Sequence, residues 1–165
     1  MTSSDDGTAR TGAAAPRVAL GADHAGVDLK DLLAEHLAAR GIDVIDLGTH
    51  GHDRVDYPDF GEAVGRAVAG GDADLGLCVC GSGIGIAIAA NKVEGVRAAT
   101  VHDQTSARLA REHNDANVIC IGERLTGVEV AKDALDAWLD AEFQGGRHTA
   151  RVAKIEAISR HRTDA

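Results

Sequence analysis

Residues 75–92 read L-G-L-C-V-C-G-S-G-I-G-I-A-I-A-A-N-K, and this stretch decides the fold class. Leu75–Val79 is a short apolar run without polar alternation, as expected of a strand buried on both faces. Glycines at 81, 83 and 85 follow, and Ile84–Lys92 is an Ala/Ile segment of helical character. A doubly buried strand that turns through glycines into a helix is the building unit of a parallel α/β sheet. Working outward, Arg17–Ala22, Ile42–Leu47, Val96–Val101 and Val118–Ile121 read as further strands. Helices are expected over Asp28–Arg40, Phe60–Ala69, Gln104–His113, Val128–Ala141 and Arg147–Arg160, with glycines at 41, 70–71 and 145–146 as breaks. His50–Pro58 reads as a polar loop carrying Tyr57. The pattern predicts a doubly wound, Rossmann-like three-layer α/β sandwich on a five-stranded parallel sheet, with right-handed crossovers. One domain is expected over residues 16–162. Residues 1–15, rich in Ser, Thr, Asp, Gly and Ala with no apolar period, are expected to form a disordered tail.

Composition narrows the function classes. The chain has 165 residues, with 17 Lys and Arg against 26 Asp and Glu, a net charge of −9. That balance argues against nucleic acid as a partner, since phosphate neutralisation needs a basic surface. The 2% aromatic content also removes the stacking platforms of single-strand binders. No apolar run approaches the ~20 residues of a membrane span, and no basic start precedes an apolar stretch, so membrane and export readings are set aside. Three cysteines (Cys78, Cys80 and Cys120) suit neither a disulfide framework nor a paired-cysteine zinc site, and a reducing cytoplasm is expected. Local arginines can still draw in a small anion.

In doubly wound sheets the ligand sits beyond the carboxyl ends of the strands. Asp23 and His24 follow the first expected strand, Tyr57 lies beyond the second, and Cys80–Gly85 follow the third. The glycine loop either brings amide N–H groups close to a ligand or simply packs a helix on a strand. Its G-x-G-x-G spacing is not the dinucleotide fingerprint, and no G-K-[ST] follows, so it is not a Walker loop, while a non-catalytic nucleotide- or phosphate-binding module on the same fold stays open. Cys80 is either a small buried residue or a base or nucleophile, because amide donors and a helix N-terminus favour the thiolate form. Asp23 could bind sugar hydroxyls or cap the next helix. His113 and Asn114 follow a helix instead of a strand and must reach any site from a helix end or from another subunit. His113 suits proton transfer near neutrality, or merely favours a helix C-terminus. Arg147 and Arg151, four apart on an expected helix, could grip a dianion with His148 beside them and Arg124 as a third candidate, or form a solvated basic face. His36 reads as a helix-face residue, and His50, His52, His102, His148 and His161 as surface groups.

Several segments occur together: G-A-D-H-A-G (21–26), D-Y-P (56–58), C-G-S-G-I-G (80–85), A-A-N-K (89–92), R-E-H-N-D-A-N (111–117), I-G-E-R (121–124) and G-G-R-H-x-x-R-V (145–152). In that order the chain resembles the type B ribose-5-phosphate isomerases, part of a wider sugar-phosphate isomerase family with galactose- and allose-phosphate members. The resemblance implies an enzyme without metal or other cofactor. It implies interconversion of D-ribose 5-phosphate and D-ribulose 5-phosphate, a step of the non-oxidative pentose phosphate pathway, through a cis-enediolate. It also implies a homodimer or homotetramer with sites at the subunit interface. By position, Cys80 matches the base and His113 the ring-opening acid. Asp23, His24, Tyr57 and Asn114 match ligand contacts, Gly81, Ser82, Gly83, Ile84 and Gly85 the loop that holds the enediolate, and Arg124, Arg147 and Arg151 the phosphate contacts. One branch of the family uses a glutamate just after the glycine loop. Ile86 stands there in this chain, which therefore resembles the cysteine branch. A hexose or tetrose phosphate is the alternative substrate on the same scaffold.

Overall fold

The structure, a computed structural model, describes residues 15–160. Residues 1–14, which hold nearly all of the expected tail, and residues 161–165, including His161, lie outside them. Five strands run β1 Arg17–Ala22, β2 Asp43–Asp46, β3 Leu75–Cys80, β4 Ala98–Thr100 and β5 Val118–Gly122. Six helices alternate with and follow them: α1 Val27–Ala39, α2 Tyr57–Ala69, α3 Ile84–Ala90, α4 Gln104–Asn114, α5 Val128–Asp140 and α6 Thr149–Arg160. All pairings are parallel, in the order β2-β1-β3-β5-β4.

The sheet carries a separate core on each face. Leu20, Leu77, Val79, Ile119 and Ile121 pack with Leu29, Leu33 and Leu37 of α1, Ala107 and Ala110 of α4, and Leu135 and Trp138 of α5. Ala19, Cys78, Cys80 and Cys120 pack on the other face with Val64 and Ala67 of α2 and Ile86, Ala87 and Ala90 of α3. The two sets alternate along each strand, as the period of two requires. The three central strands are buried at all but one of their residues, which is why they read as unbroken apolar runs.

This layering fits the strand order. Steps to the β2 side of the sheet (β1 to β2, β4 to β5) use helices of one face, and steps the other way (β2 to β3, β3 to β4) use helices of the opposite face. Only that arrangement makes every crossover right-handed. The chain therefore leaves β1 toward one face and β3 toward the other, and a crevice opens between their carboxyl ends.

Several boundaries differ from the sequence reading; α3, for one, ends at Ala90 and not at Lys92. Tyr57 is the first residue of α2 and not a loop residue; Pro58 in the first turn is tolerated there because that N–H has no intrahelical partner. β2 and β4 are shorter than expected, four and three residues, as suits strands at the two edges of the sheet. Arg147 lies in a 3-10 turn, Gly146–His148, that precedes α6, so it and Arg151 do not share one continuous α-helix. Gly145 and Gly146 have φ of 62° and 55°, and this left-handed entry makes the tighter turn.

The loop from β2 to α2 is anchored from below. Lys30 of α1 is fully buried, and its ammonium sits 2.6 Å from Asp46 Oδ2 and 2.7 Å from Asp31 Oδ1. The other Asp46 oxygen accepts from Gly48 N–H. A buried ammonium is tolerated only when it is paired in this way.

Candidate active site

The crevice at the carboxyl end of the sheet is a cleft of about 490 Å³ lined by Asp23, His24, Tyr57, Cys80, Ser82 and Arg124, with Ala25, Arg54, Gly81, Ile84 and Gly85 completing the wall. Cys80 ends β3 and is 4% exposed. Its Sγ accepts a hydrogen bond from Gly83 N–H at 3.1 Å. The turn that aims this donor is fixed on several sides. Glu123 N–H donates to Cys80 O, Arg124 N–H to Gly81 O, and Thr100 Oγ1 to Gly83 O. Gly83 has a φ of 75°, which a side chain would strain.

Gly122 packs directly under this turn. A Cβ there would fall 2.5 Å from the Ser82 carbonyl carbon and 2.6 Å from its oxygen. Both are backbone atoms and cannot swing away. Gly122→Ala should therefore push Ser82 outward and cost about 1–3 kcal/mol, a Tm decrease of about 3–10 °C for a chain of this size. Calorimetry with a parallel kcat measurement checks this, and an unchanged Tm would refute the packing argument.

Asp23 is 6% exposed and receives Ala25 N–H at 2.9 Å. It does not cap α1, one of the two roles open to it from sequence. The α1 amide of Leu29 is met instead by Glu123 Oε2 at 3.0 Å, a carboxylate from the end of β5. His24 turns its Nδ1 to the backbone of Val55, 3.1 Å from the carbonyl oxygen and 3.3 Å from the N–H, so either tautomer finds a partner on the β2–α2 loop. Tyr57 lays its ring against Gly85, whose missing side chain leaves the space. The Arg124 guanidinium lies over Gly81 in the same way. Cys120, fully buried, has its thiol pKa pushed well above the usual range, by burial first and then by the adjacent Cys78 and Cys80 thiols. It remains an inert thiol beneath Cys80.

Five of the residues expected at the site are not among those that line this cleft: Gly83, whose N–H is turned in to Cys80 Sγ, and His113, Asn114, Arg147 and Arg151. α4 leaves the carboxyl edge after β4 and returns to the amino edge, so His113 and Asn114 sit just before β5 starts. The five residues of β5, at about 3.3 Å each, put roughly 16 Å between that edge and the cleft. At the amino edge the His113 ring stacks on the His148 ring, with centroids 4.3 Å apart and planes 9° apart. Arg147 Nε donates to His148 Nε2 at 3.3 Å. Arg147 and Arg151 have no ion-pair partner among the described residues, so both guanidiniums are available to an anion. His148 is 7% exposed, not the surface group expected from sequence. The pKa of its imidazole is lowered by burial, and then by His113, Arg147 and Arg151.

The model of the Ribose/Galactose Isomerase family matches residues 18–155. The chain belongs to that family. It is thus an isomerase, and the resemblance carried by its seven motifs is borne out. It is similar to ribose-5-phosphate isomerase B of Escherichia coli strain K12, 49% identical over 146 residues that cover 88% of this chain and 98% of that protein. It is 44% identical over 140 residues to D-erythrulose-4-phosphate isomerase of Pectobacterium atrosepticum strain SCRI 1043, with 84% and 91% covered. Among solved structures, Clostridium thermocellum ribose-5-phosphate isomerase B superposes with a TM-score of 0.87 at 52% identity, over 88% of this chain and 98% of that one. Its likeness includes the five-stranded parallel sheet and the helices around it.

In this family member Ile86 is fully buried between α3 and the sheet, so no acid–base group stands just after the glycine loop and Cys80 is the titratable group at its head. Two features escape a reading of the sequence. Arg54 lines the cleft but sits in a polar loop with no periodicity to mark it, and its one signal is its place beyond a strand end. His148 pairs with His113 across 35 positions of sequence, which no local pattern encodes.

Proposed function

We propose that this isomerase interconverts D-ribose 5-phosphate and D-ribulose 5-phosphate through a cis-enediolate, in sites built from two copies of the chain. The observation that carries the reading is the Cys80 thiol, placed at the head of a cleft and receiving the Gly83 amide. Cys80 takes the proton from C2 of the opened sugar and returns it to C1. A single base over two adjacent carbons suffices, because the enediolate is planar between them. The Gly83 amide is engaged by Cys80 Sγ, and the other amides of the Gly81–Gly85 turn, preorganised by the bonds from Glu123, Arg124 and Thr100, stabilise the oxygens that gain charge; one such donor is worth about 3–4 kcal/mol. Asp23 and His24 bind hydroxyls, and Tyr57 and Ser82 flank the sugar. His113 of a second copy donates the proton that opens the furanose ring, with Asn114 beside it. This pairing follows from the roughly 16 Å that separates the two edges of one sheet.

Arg124 at the cleft and Arg147 and Arg151 from the second copy hold the phosphate. A dianion between guanidiniums forms charge-assisted bonds worth about 1.5–3 kcal/mol each. Replacing Arg147 or Arg151 with alanine should raise KM for ribose 5-phosphate about tenfold or more, with partial rescue by lysine, which lacks the bidentate fork. Free ribose should be turned over very poorly and be nearly indifferent to both changes. Equal damage to both sugars would show the arginines to be structural.

A second reading, a tetrose or hexose phosphate as preferred substrate, is favoured by the erythrulose-phosphate relative and by the galactose members in the family's description. The β2–α2 loop with Arg54 sets the reach of the cleft and would decide between them. A coupled assay across four-, five- and six-carbon aldose and ketose phosphates tests the assignment, and kcat/KM highest for the five-carbon pair is the expected result.

A further inference from the structure

His148 has no role in the chemistry described so far, yet it is one of four polar residues buried in the described chain. Its surroundings are specific. One face of the ring lies flat on His113. Its Nε2 faces Arg147 Nε, which always carries a proton, so Nε2 has to be the acceptor and the ring proton has to be on Nδ1. A neutral ring is thereby fixed between an imidazole and a guanidinium. The backbone holds it there: His148 N–H donates to Gly145 O, and Gln144 N–H donates to Glu112 O on α4, tying the turn to the residue beside His113. On the outer side, Arg97 pairs with both Asp115 and Glu156, joining the end of α4 to α6.

We propose that His148 is a positioning residue for the isomerase reaction: its neutral ring sets the plane of the His113 imidazole by stacking, and its Nε2 holds the Arg147 side chain in place. The inference rests on the reading above in which His113 opens the sugar ring and Arg147 binds phosphate. Two imidazolium rings at 4.3 Å would repel, and the acceptor role of Nε2 toward Arg147 makes His148 the neutral ring of the pair. The charged groups around His148 agree with this. His113 from α4, Arg147 beside it and Arg151 from α6 all oppose a positive charge there, and burial opposes it more strongly than any of them.

Stacking and acceptance are separable. His148→Phe keeps an aromatic face against His113 and removes the acceptor, whereas His148→Ala removes both. The Phe variant should keep kcat within about twofold and raise KM for ribose 5-phosphate about threefold to tenfold, while the Ala variant should also lose about tenfold in kcat. Exchange of the C1 proton of ribulose 5-phosphate into D2O, followed by proton NMR, needs Cys80 but no ring opening, and it should stay within about twofold of wild type in both variants. Nitrogen-15 ring shifts should show His148 protonated on Nδ1 alone, and still neutral at a pH where free imidazole is charged. Equal kcat in the Phe and Ala variants, loss of proton exchange together with turnover, or a proton on Nε2 would each overturn the proposal. If wild-type protein turned over no pentose phosphate, the functional reading would fall, and the nitrogen-15 shifts would still decide whether the pair is built as described. If wild type is active and both variants match it, the positioning role alone fails.

Discussion

Cys80→Ala should lower kcat for ribose 5-phosphate by about 10²–10⁴-fold, the usual contribution of a positioned general base, while KM changes little. The split follows from the geometry. Cys80 is 4% exposed at the end of a strand, and removing one sulfur from this nearly closed position should take little contact area from the sugar. In the proposed assignment the hydroxyl and phosphate groups are held by other residues, so binding should persist. The Gly83 amide that points at Sγ would be left without its partner, a loss confined to the turn. Cys80→Ser separates the roles further: it keeps a small hydrogen-bonding group for the amide but supplies a far weaker base, and its kcat should lie close to that of the alanine variant. Iodoacetamide should inactivate the wild-type protein, with ribose 5-phosphate protecting it, and Cys78 and Cys120 should stay unmodified because both are fully buried. Retention of more than about a tenth of kcat in Cys80→Ala would remove the base from the mechanism.

The cleft was largely legible in the sequence, because its residues follow strands. Asp23, His24 and Cys80–Gly85 come directly after runs whose apolar continuity marks them as central, and in a doubly wound sheet that position is enough to bring them together. The order of strands was not legible. Alternation of strand and helix does not tell whether β5 lies inside or outside β4, and the structure puts it inside. Arg124 belongs in the cleft for that reason, since β5 is the immediate neighbour of β3. The start of α2 was missed although Asp56, Tyr57 and Pro58 carry a recognisable helix-start pattern, since the preceding polar residues drew the whole segment into a loop. The pair of glycines before Arg147 hid the tight turn, and with it the burial of His148. That burial depends on a contact with α4 and not on any period within the local chain.

The topology sets up a test of the two-chain site that gives opposite answers for its two outcomes. His113 and Cys80 lie at opposite edges of one sheet, about 16 Å apart by the length of β5. A site that needs both must draw them from different copies, in a two-fold arrangement where each chain gives its carboxyl edge to one site and its amino edge to the other. Cys80→Ala and His113→Ala homodimers should then each be inactive, for different reasons. In a mixed dimer, one site joins the two altered residues, and the other joins the intact Cys80 of one chain to the intact His113 of its partner. Random exchange at equal concentrations makes half of the dimers mixed, each with one working site of two, so activity should recover to about a quarter of wild type. If both residues served a site within one chain, every site in the mixture would carry one defect and no activity would return. Subunit exchange can be followed independently with differently tagged chains, so a silent mixture would have a clear meaning. A fully active monomer in sedimentation would refute the two-chain site outright. Recovery in the mixture would instead show that the cleft of one chain is completed by the histidine at the far edge of another.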